Sequence, residues 1–147
     1  MYRDLGLRLA LETYEQVSTR DLVTLVETIG EPNLGICLDP ANTVANLESP
    51  EEVTRLCAPY VVNWHVKDFH FIRQDGWVGF TLTGARMGTG RLDYDAMLDV
   101  IQPHARSISQ IVEHWLPWAG DAEVTAEIEA DWTAATLDRI RAGVRSG

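Results

Sequence analysis

The sequence is poor in basic residues and contains no long apolar run. It has 12 Lys and Arg residues against 22 Asp and Glu residues, which gives a formal net charge of −10. Nucleic-acid backbones and anionic membrane surfaces bind clustered Lys and Arg, so we expect neither as a partner. No stretch approaches the roughly 18 apolar residues of a membrane span, and the first residues mix charged and apolar types. We therefore expect a cytoplasmic protein without a secretion signal.

Cysteine is also scarce. Cys37 lies in an apolar run and Cys57 lies in a segment with a helical pattern, and no Cys-x-x-Cys or Cys-His spacing is present. Such spacings are the signature of zinc and redox sites, and a pair of isolated cysteines in a cytoplasmic chain is rarely a disulfide. The sequence predicts two reduced thiols in the core.

The chain of 147 residues alternates short apolar runs with longer helical patterns. At this length a chain buries enough surface for one core, and we predict a single domain over residues 1–147. Helix starts are indicated by Ser18, by Ser49 followed by Pro50, and by Asp93, each of which has N-cap chemistry. Repeated strand–helix alternation is typical of parallel βα units. The apolar runs occupy residues 7–11, 34–38, 60–64 and 108–112.

Each of the four apolar runs is followed by a side chain that can bind a metal. Carboxyl ends of parallel strands share one edge of a sheet, so these side chains are expected to converge there. Three carboxylates and one imidazole form an oxygen-rich set that suits Mn²⁺ or Mg²⁺, with Co²⁺ or Zn²⁺ as alternatives. The predicted ligands are Glu12, Asp39, His65 and Glu113.

The interval between the last two candidate ligands is much longer than the other two. It leaves an additional loop of roughly twenty residues after the third strand, a length that usually indicates a lid or a binding loop. We expect this loop to contribute substrate contacts.

The ordered set of strand ends resembles the C-terminal half of the xylose isomerase-like TIM barrels, the sugar phosphate isomerase/epimerase group. The likeness lies in the strand-end segments and in a glycine-bearing stretch that leads into a helix. It implies an α/β fold of four parallel βα units, equivalent to strands 5–8 of a (β/α)₈ barrel and incomplete on its own. The matching segments are 9–12, 38–42, 65–68, 88–94 and 111–113.

The same resemblance implies a metal-dependent sugar isomerase or epimerase that works through an enediolate. In this group one dication is held by a Glu, an Asp, a His and a second Glu, which match the four predicted ligands here. The resemblance also implies that Glu12 and Glu113 act as general base and general acid on a ketose or related hydroxy-carbonyl compound.

Substrate contacts are expected from residues near the second and third strand ends. Members similar to D-tagatose 3-epimerase carry a substrate-binding His three residues after the metal Asp, and Asn42 occupies that position here. They also carry an Arg six residues after the metal His, where this chain has Phe71. The alternative contacts to a sugar or sugar acid are Lys67, His70 and Arg73.

Several alternatives remain open at this point. A local likeness over segments 67–73 and 79–88 is similar to sugar-acid decarboxylases of the 3-oxo-isoapionate type, so a decarboxylase or dehydratase is the alternative reaction. A DNA-repair endonuclease of the endonuclease IV kind is disfavoured because the negative charge opposes DNA binding. Its site also needs three zinc ions with more His ligands than the four histidines here supply. A non-catalytic truncated half-barrel is the third possibility. Four parallel strands leave two open edges, so we expect a homo-oligomer or a missing N-terminal half.

Overall fold

The computed structural model describes residues 2–146 of the chain. Its residue contacts divide it into two compact units, one formed by residues up to 65 together with 93–111, and the other by residues 66–92 together with 112 onward. The single-domain assignment stays a prediction.

The strands are β1 (Leu9–Glu12), β2 (Leu34–Leu38), β3 (Val61–Val66), β4 (Asp68–Arg73), β5 (Phe80–Ala85) and β6 (Ser109–Val112). The helices are α1 (Thr19–Ile29), α2 (Pro40–Thr43), α3 (Pro50–Cys57), α4 (Tyr94–Ile101) and α5 (Ala122–Ser146).

A four-stranded parallel sheet in the order β1-β2-β3-β6 forms the centre of the first unit. In its register Glu12 lies beside Cys37, and Leu38 lies beside Trp64. Ile36, Leu38 and Trp64 are fully buried, and the Trp64 ring stacks on Tyr94 at the start of α4 with centroids 5.0 Å apart. The predicted α/β fold of four parallel strands is confirmed.

The helices of this unit begin where the capping signals predict. Ser18 caps α1 by accepting a hydrogen bond from the backbone N–H of Asp21, and Gly30 ends that helix in the left-handed conformation with φ 63°. Ser49 caps α3 with Pro50 at its first position, and Asp93 caps α4. These local signals depend only on neighbouring residues, which explains why sequence alone predicts them well.

The second unit contains a β-hairpin that the sequence analysis did not predict. Strands β4 and β5 pair in antiparallel register from Asp68 opposite Ala85 to Arg73 opposite Phe80. The additional loop expected after the third strand is therefore a β-hairpin over residues 68–85. Aromatic and β-branched residues dominate both strands, and the intervening turn contains two glycines with positive φ, Gly76 and Gly79. This composition favours a hairpin over a loop.

Asp68 organises the loop that follows β5. Its Oδ1 accepts hydrogen bonds from the backbone N–H groups of Phe69 and Leu92, at 2.8 and 3.0 Å. Its Oδ2 accepts from those of Gly88 and Gly90, both at 2.9 Å. A Cβ atom at Gly90 would overlap Asp68 Oδ1 and the Phe69 carbonyl oxygen, so only glycine allows this approach.

Replacing Asp68 by Asn should destabilise the second unit strongly. The new NH₂ group would face the N–H groups of Gly88 and Gly90 or of Phe69 and Leu92, so two donors would lose their acceptor. We expect the free energy of unfolding in urea to fall by about 2–4 kcal/mol, since a buried unsatisfied donor costs about 1–3 kcal/mol. The matched control is Asp75→Asn in the exposed hairpin turn, which should change it by less than about 0.5 kcal/mol. Equal stability of the two variants would contradict this role.

Both cysteines are buried and neither forms a disulfide within residues 2–146, which agrees with the prediction of reduced core thiols. Burial, with a smaller contribution from the Glu48 charge, raises the pKa of Cys57 to about 12. Alkylation requires the thiolate, which is therefore scarce at pH 8. We expect mass spectrometry to find Cys57 unmodified by iodoacetamide in the native protein and fully modified in urea. Modification at the same rate in both conditions would show that the thiol is accessible.

Among the described residues, no helix combines the length and apolar character that a membrane crossing requires.

Candidate metal centre

Three of the four predicted ligands lie together in the first unit. Glu12 ends β1, Asp39 directly follows β2 and caps α2, and His65 is the penultimate residue of β3. These three strands are consecutive in the parallel sheet, so their carboxyl ends bring the side chains to one edge.

The spacing of the three side chains is that of ligands around an ion. His65 Nδ1 lies 3.5 Å from Asp39 Oδ2 and 3.6 Å from Glu12 Oε1, and each residue offers a ligand atom within 4.8 Å of the others. These distances exceed normal hydrogen-bond lengths. They approach the separations of about 3–4 Å between ligands bound at about 2.1 Å to one dication. Asp39 is fully buried, and two carboxylates with one imidazole form a donor set that hard dications prefer. The residues therefore fit a divalent metal ion.

Thr13 joins the strand ends that carry the two carboxylates. Its Oγ1 donates to the carbonyl oxygen of Asp39 at 2.9 Å and accepts from the Asp39 N–H at 2.7 Å. Its own N–H donates to the carbonyl oxygen of Cys37 at 3.0 Å. Because Thr13 directly follows Glu12, these bonds hold the Glu12 backbone against that of Asp39.

Asn42 lies beside the two carboxylate ligands in the first unit. Its side chain is buried, and Nδ2 donates to Glu12 Oε1 at 3.0 Å and to the Thr13 carbonyl oxygen at 3.2 Å. The residue predicted to bind substrate therefore contacts a candidate ligand directly. Its predicted contact with substrate is not tested by this geometry.

A row of polar side chains crosses the sheet, and two of them lie two residues before the candidate ligands Asp39 and His65. Cys37 Sγ donates to Asn63 Oδ1 at 3.0 Å, and Asn63 Nδ2 donates to Ser109 Oγ at 2.7 Å. The sequence analysis missed this row. The signal was present, because alternate strand residues share a face, which places Cys37 below Asp39 and Asn63 below His65.

Glu113, the fourth predicted ligand, is the first residue after β6 and belongs to the second unit. Within that unit Lys67 Nζ donates to Glu113 Oε1 at 2.8 Å. The Lys67 side chain is 1% exposed, and its ammonium lies 4.3 Å from the centre of the Trp115 ring. Metal binding and acid–base catalysis by Glu113 remain predictions, as does the contact of Lys67 with substrate.

The other two predicted substrate residues lie on the hairpin. His70 is half-buried in β4, and Arg73 is exposed at the end of that strand, where its guanidinium donates to the Trp77 carbonyl oxygen. Their roles toward a substrate also remain predictions.

The sequence matches the xylose isomerase-like TIM barrel family over residues 1–138. The chain belongs to this family. Members are built on a barrel of eight βα units, and the four parallel strands here match part of such a barrel. The resemblance stated from the strand-end residues is thus confirmed.

Individual relatives and solved structures match nearly the whole of this chain. The chain is 56% identical over 139 residues to 3-oxo-isoapionate decarboxylase of Pectobacterium atrosepticum, an alignment that covers 95% of this chain and 50% of that enzyme. The crystal structure of a xylose isomerase domain protein from Planctomyces limnophilus matches with a TM-score of 0.72 and 24% identity, covering 98% of this chain and 49% of that one. A xylose isomerase-like TIM barrel protein from Mycobacterium smegmatis, crystallised in complex with magnesium, matches with a TM-score of 0.66 and 20% identity, covering 92% and 46%. The chain spans 50% of the length of the decarboxylase, and 49% and 46% of the lengths of the other two proteins.

Proposed function

We propose that the chain is the C-terminal half-barrel of a divalent-metal-dependent decarboxylase that acts on a 3-oxo sugar acid. The observation that carries this proposal is the 56% identity to 3-oxo-isoapionate decarboxylase across nearly the whole chain. The cluster of Glu12, Asp39 and His65 supports a metal-dependent reaction. Decarboxylation was the alternative to isomerisation in the sequence analysis, and this relative now favours it.

The proposed ion is Mg²⁺ or Mn²⁺, held by Glu12, Asp39 and His65, with Glu113 as the fourth ligand by its position after the fourth strand. Two carboxylates and one imidazole suit these hard ions. Magnesium in the Mycobacterium smegmatis relative supports the same choice. The bound ion would supply Lewis-acid stabilisation of negative charge on a substrate oxygen.

Decarboxylation of a 3-oxo acid breaks the bond between the carboxylate carbon and its neighbour. The electron pair of that bond moves toward the ketone, CO₂ leaves, and the neighbouring carbon must then receive one proton. We assign this proton transfer to Glu113, the predicted general acid. Lys67 Nζ, 2.8 Å from Glu113 Oε1, is the proton-bearing group in contact with that carboxylate and can resupply it.

Isomerisation or epimerisation of a ketose is the second candidate. It uses the same enediolate chemistry but starts by removing a proton from carbon, so it requires a base as well as an acid. Glu12 and Glu113 are the predicted pair for these roles. The two candidates differ in whether CO₂ is released.

The open sheet supports a complete barrel as the active form. Leu9 on β1 and Ile111 on β6 are about half exposed, and these are the edge strands of the sheet. Unpaired apolar edges favour pairing with further strands. We propose that four more strands complete the site, supplied by a preceding half of the same protein or by a second copy.

The test is an assay of CO₂ release from 3-oxo-isoapionate with added Mn²⁺. The chain is assayed alone and together with the separately produced first half of the Pectobacterium atrosepticum enzyme, which serves as the missing half. We expect CO₂ release that stops when EDTA removes the metal. Solvent deuterium entering a ketose without CO₂ release would favour the second candidate. If neither reaction occurs, with the chain alone or with the added first half, both candidate functions are contradicted.

A further inference from the structure

Asn42 touches both carboxylate ligands of the first unit. Its backbone N–H donates to Asp39 Oδ1 at 3.3 Å, which is the capping bond of α2. Its side-chain Nδ2 donates to Glu12 Oε1 at 3.0 Å and to the Thr13 carbonyl oxygen at 3.2 Å. One residue therefore connects the end of β1 to the end of β2 through the ligands themselves.

The amide orientation follows from its surroundings. The two groups facing Nδ2 are a carboxylate oxygen and a carbonyl oxygen, both acceptors only, so the nitrogen must point toward them. Both hydrogens of the amide are used in these bonds. The side chain is 3% exposed, which leaves little of it for a substrate to contact.

Glu12 is the ligand that most needs such a bond. Its side chain is 42% exposed, whereas that of Asp39 is fully buried and that of His65 is 18% exposed. A long, exposed carboxylate loses conformational freedom when it binds a metal, and a bond that already holds it in place reduces that loss. The Asn42 bond keeps Oε1 at 3.6 Å from His65 Nδ1, within the spacing of the cluster.

We propose that Asn42 is a positioning residue of the metal centre, which holds Glu12 in the ligand position and acts through Glu12 rather than through the substrate. This inference rests on the metal site of the proposed function. Partners that orient metal ligands typically contribute 10- to 100-fold to metal affinity.

The test compares Asn42→Ala with Thr43→Ala by isothermal titration of Mn²⁺ into the metal-free protein. Thr43 is the next residue of α2, is fully buried, and donates only to the Pro40 carbonyl oxygen within its helix, so it is a matched structural control. We expect Asn42→Ala to bind Mn²⁺ about 10-fold or more weakly. Thr43→Ala should lower the melting temperature while binding Mn²⁺ as the wild type does.

A second pair of variants separates positioning from simple damage to the fold. Asn42→Ser replaces Asn42→Ala if the latter does not fold, and it should show the same loss because serine is too short to reach Glu12. In a Glu12→Ala background, which removes the acceptor of the Asn42 amide, Asn42→Ala should have no further effect on Mn²⁺ affinity. Equal affinity of wild type and Asn42→Ala, equal loss in Thr43→Ala, or a full additional loss in the Glu12→Ala background would each overturn the inference. A wild-type chain that binds no dication would instead overturn the metal site of the proposed function.

Discussion

Replacing Asp39 by Asn is expected to lower the affinity for Mn²⁺ by more than about 100-fold. Asp39 is the fully buried carboxylate of the cluster, and its Oδ2 faces His65 Nδ1. An amide has the same shape but carries no charge, so the metal loses both a strong ligand and a neutralising charge. Because loss of a mere supporting partner already costs 10- to 100-fold, loss of a ligand should cost more. Isothermal titration of Mn²⁺ into the metal-free protein measures the change.

The control for this variant is Asp93→Asn. Asp93 caps α4 as Asp39 caps α2, with its side chain accepting from the N–H of Ala96, but it is exposed and is not part of the ligand cluster. Asparagine is as good an N-cap as aspartate, so both helices should survive the substitution. Unchanged Mn²⁺ affinity in Asp39→Asn would exclude Asp39 as a ligand.

Replacing Glu113 by Gln is expected to slow CO₂ release by about 10²- to 10⁴-fold, the usual contribution of a general acid or base. Glutamine keeps a hydrogen-bond acceptor for Lys67 Nζ but cannot carry a transferable proton. Rates are compared at saturating Mn²⁺, in the assembly that shows wild-type activity, so that weaker metal binding does not enter the comparison.

Glu129→Gln, at an exposed position of α5, is the matched control and should react at the wild-type rate. Circular dichroism should give the same spectrum for both variants and the wild type. If Glu113→Gln releases CO₂ at the normal rate, the proton must come from another group, and Glu113 is at most a metal ligand.

The position of the candidate metal-binding residues could be predicted from the sequence because it depends on topology alone. Apolar runs mark the strands, parallel βα alternation places their carboxyl ends together, and the residue that ends each run is then known. Glu12, Asp39 and His65 converge for this reason. The capping residues Ser18, Ser49 and Asp93 could be predicted for a simpler reason, since a cap acts on backbone groups within three residues of itself.

The roles of other polar residues could not be predicted from the sequence in this way. Lys67 and Asp68 are neighbours in sequence, but Lys67 pairs with Glu113 while Asp68 binds the backbone of Gly88 and Gly90. Both sets of partners lie at least twenty residues away along the chain. The hairpin of β4 and β5 was missed because the long interval between His65 and Glu113 was interpreted as a lid or a binding loop.

The sequence by itself indicated a parallel α/β fold and the side chains that end its strands, because hydrophobic periodicity is a property of the chain. The order of the strands was expected only from the resemblance to a barrel family. Only the tertiary structure decided how those side chains are held. Asn42 occupies a position at which the family resemblance predicts a substrate contact, and its side-chain amide donates hydrogen bonds to Glu12 and to the Thr13 carbonyl oxygen. Groups that are distant in sequence form hydrogen bonds only where folding brings them within about 3 Å of each other, and no local pattern encodes which distant groups those are.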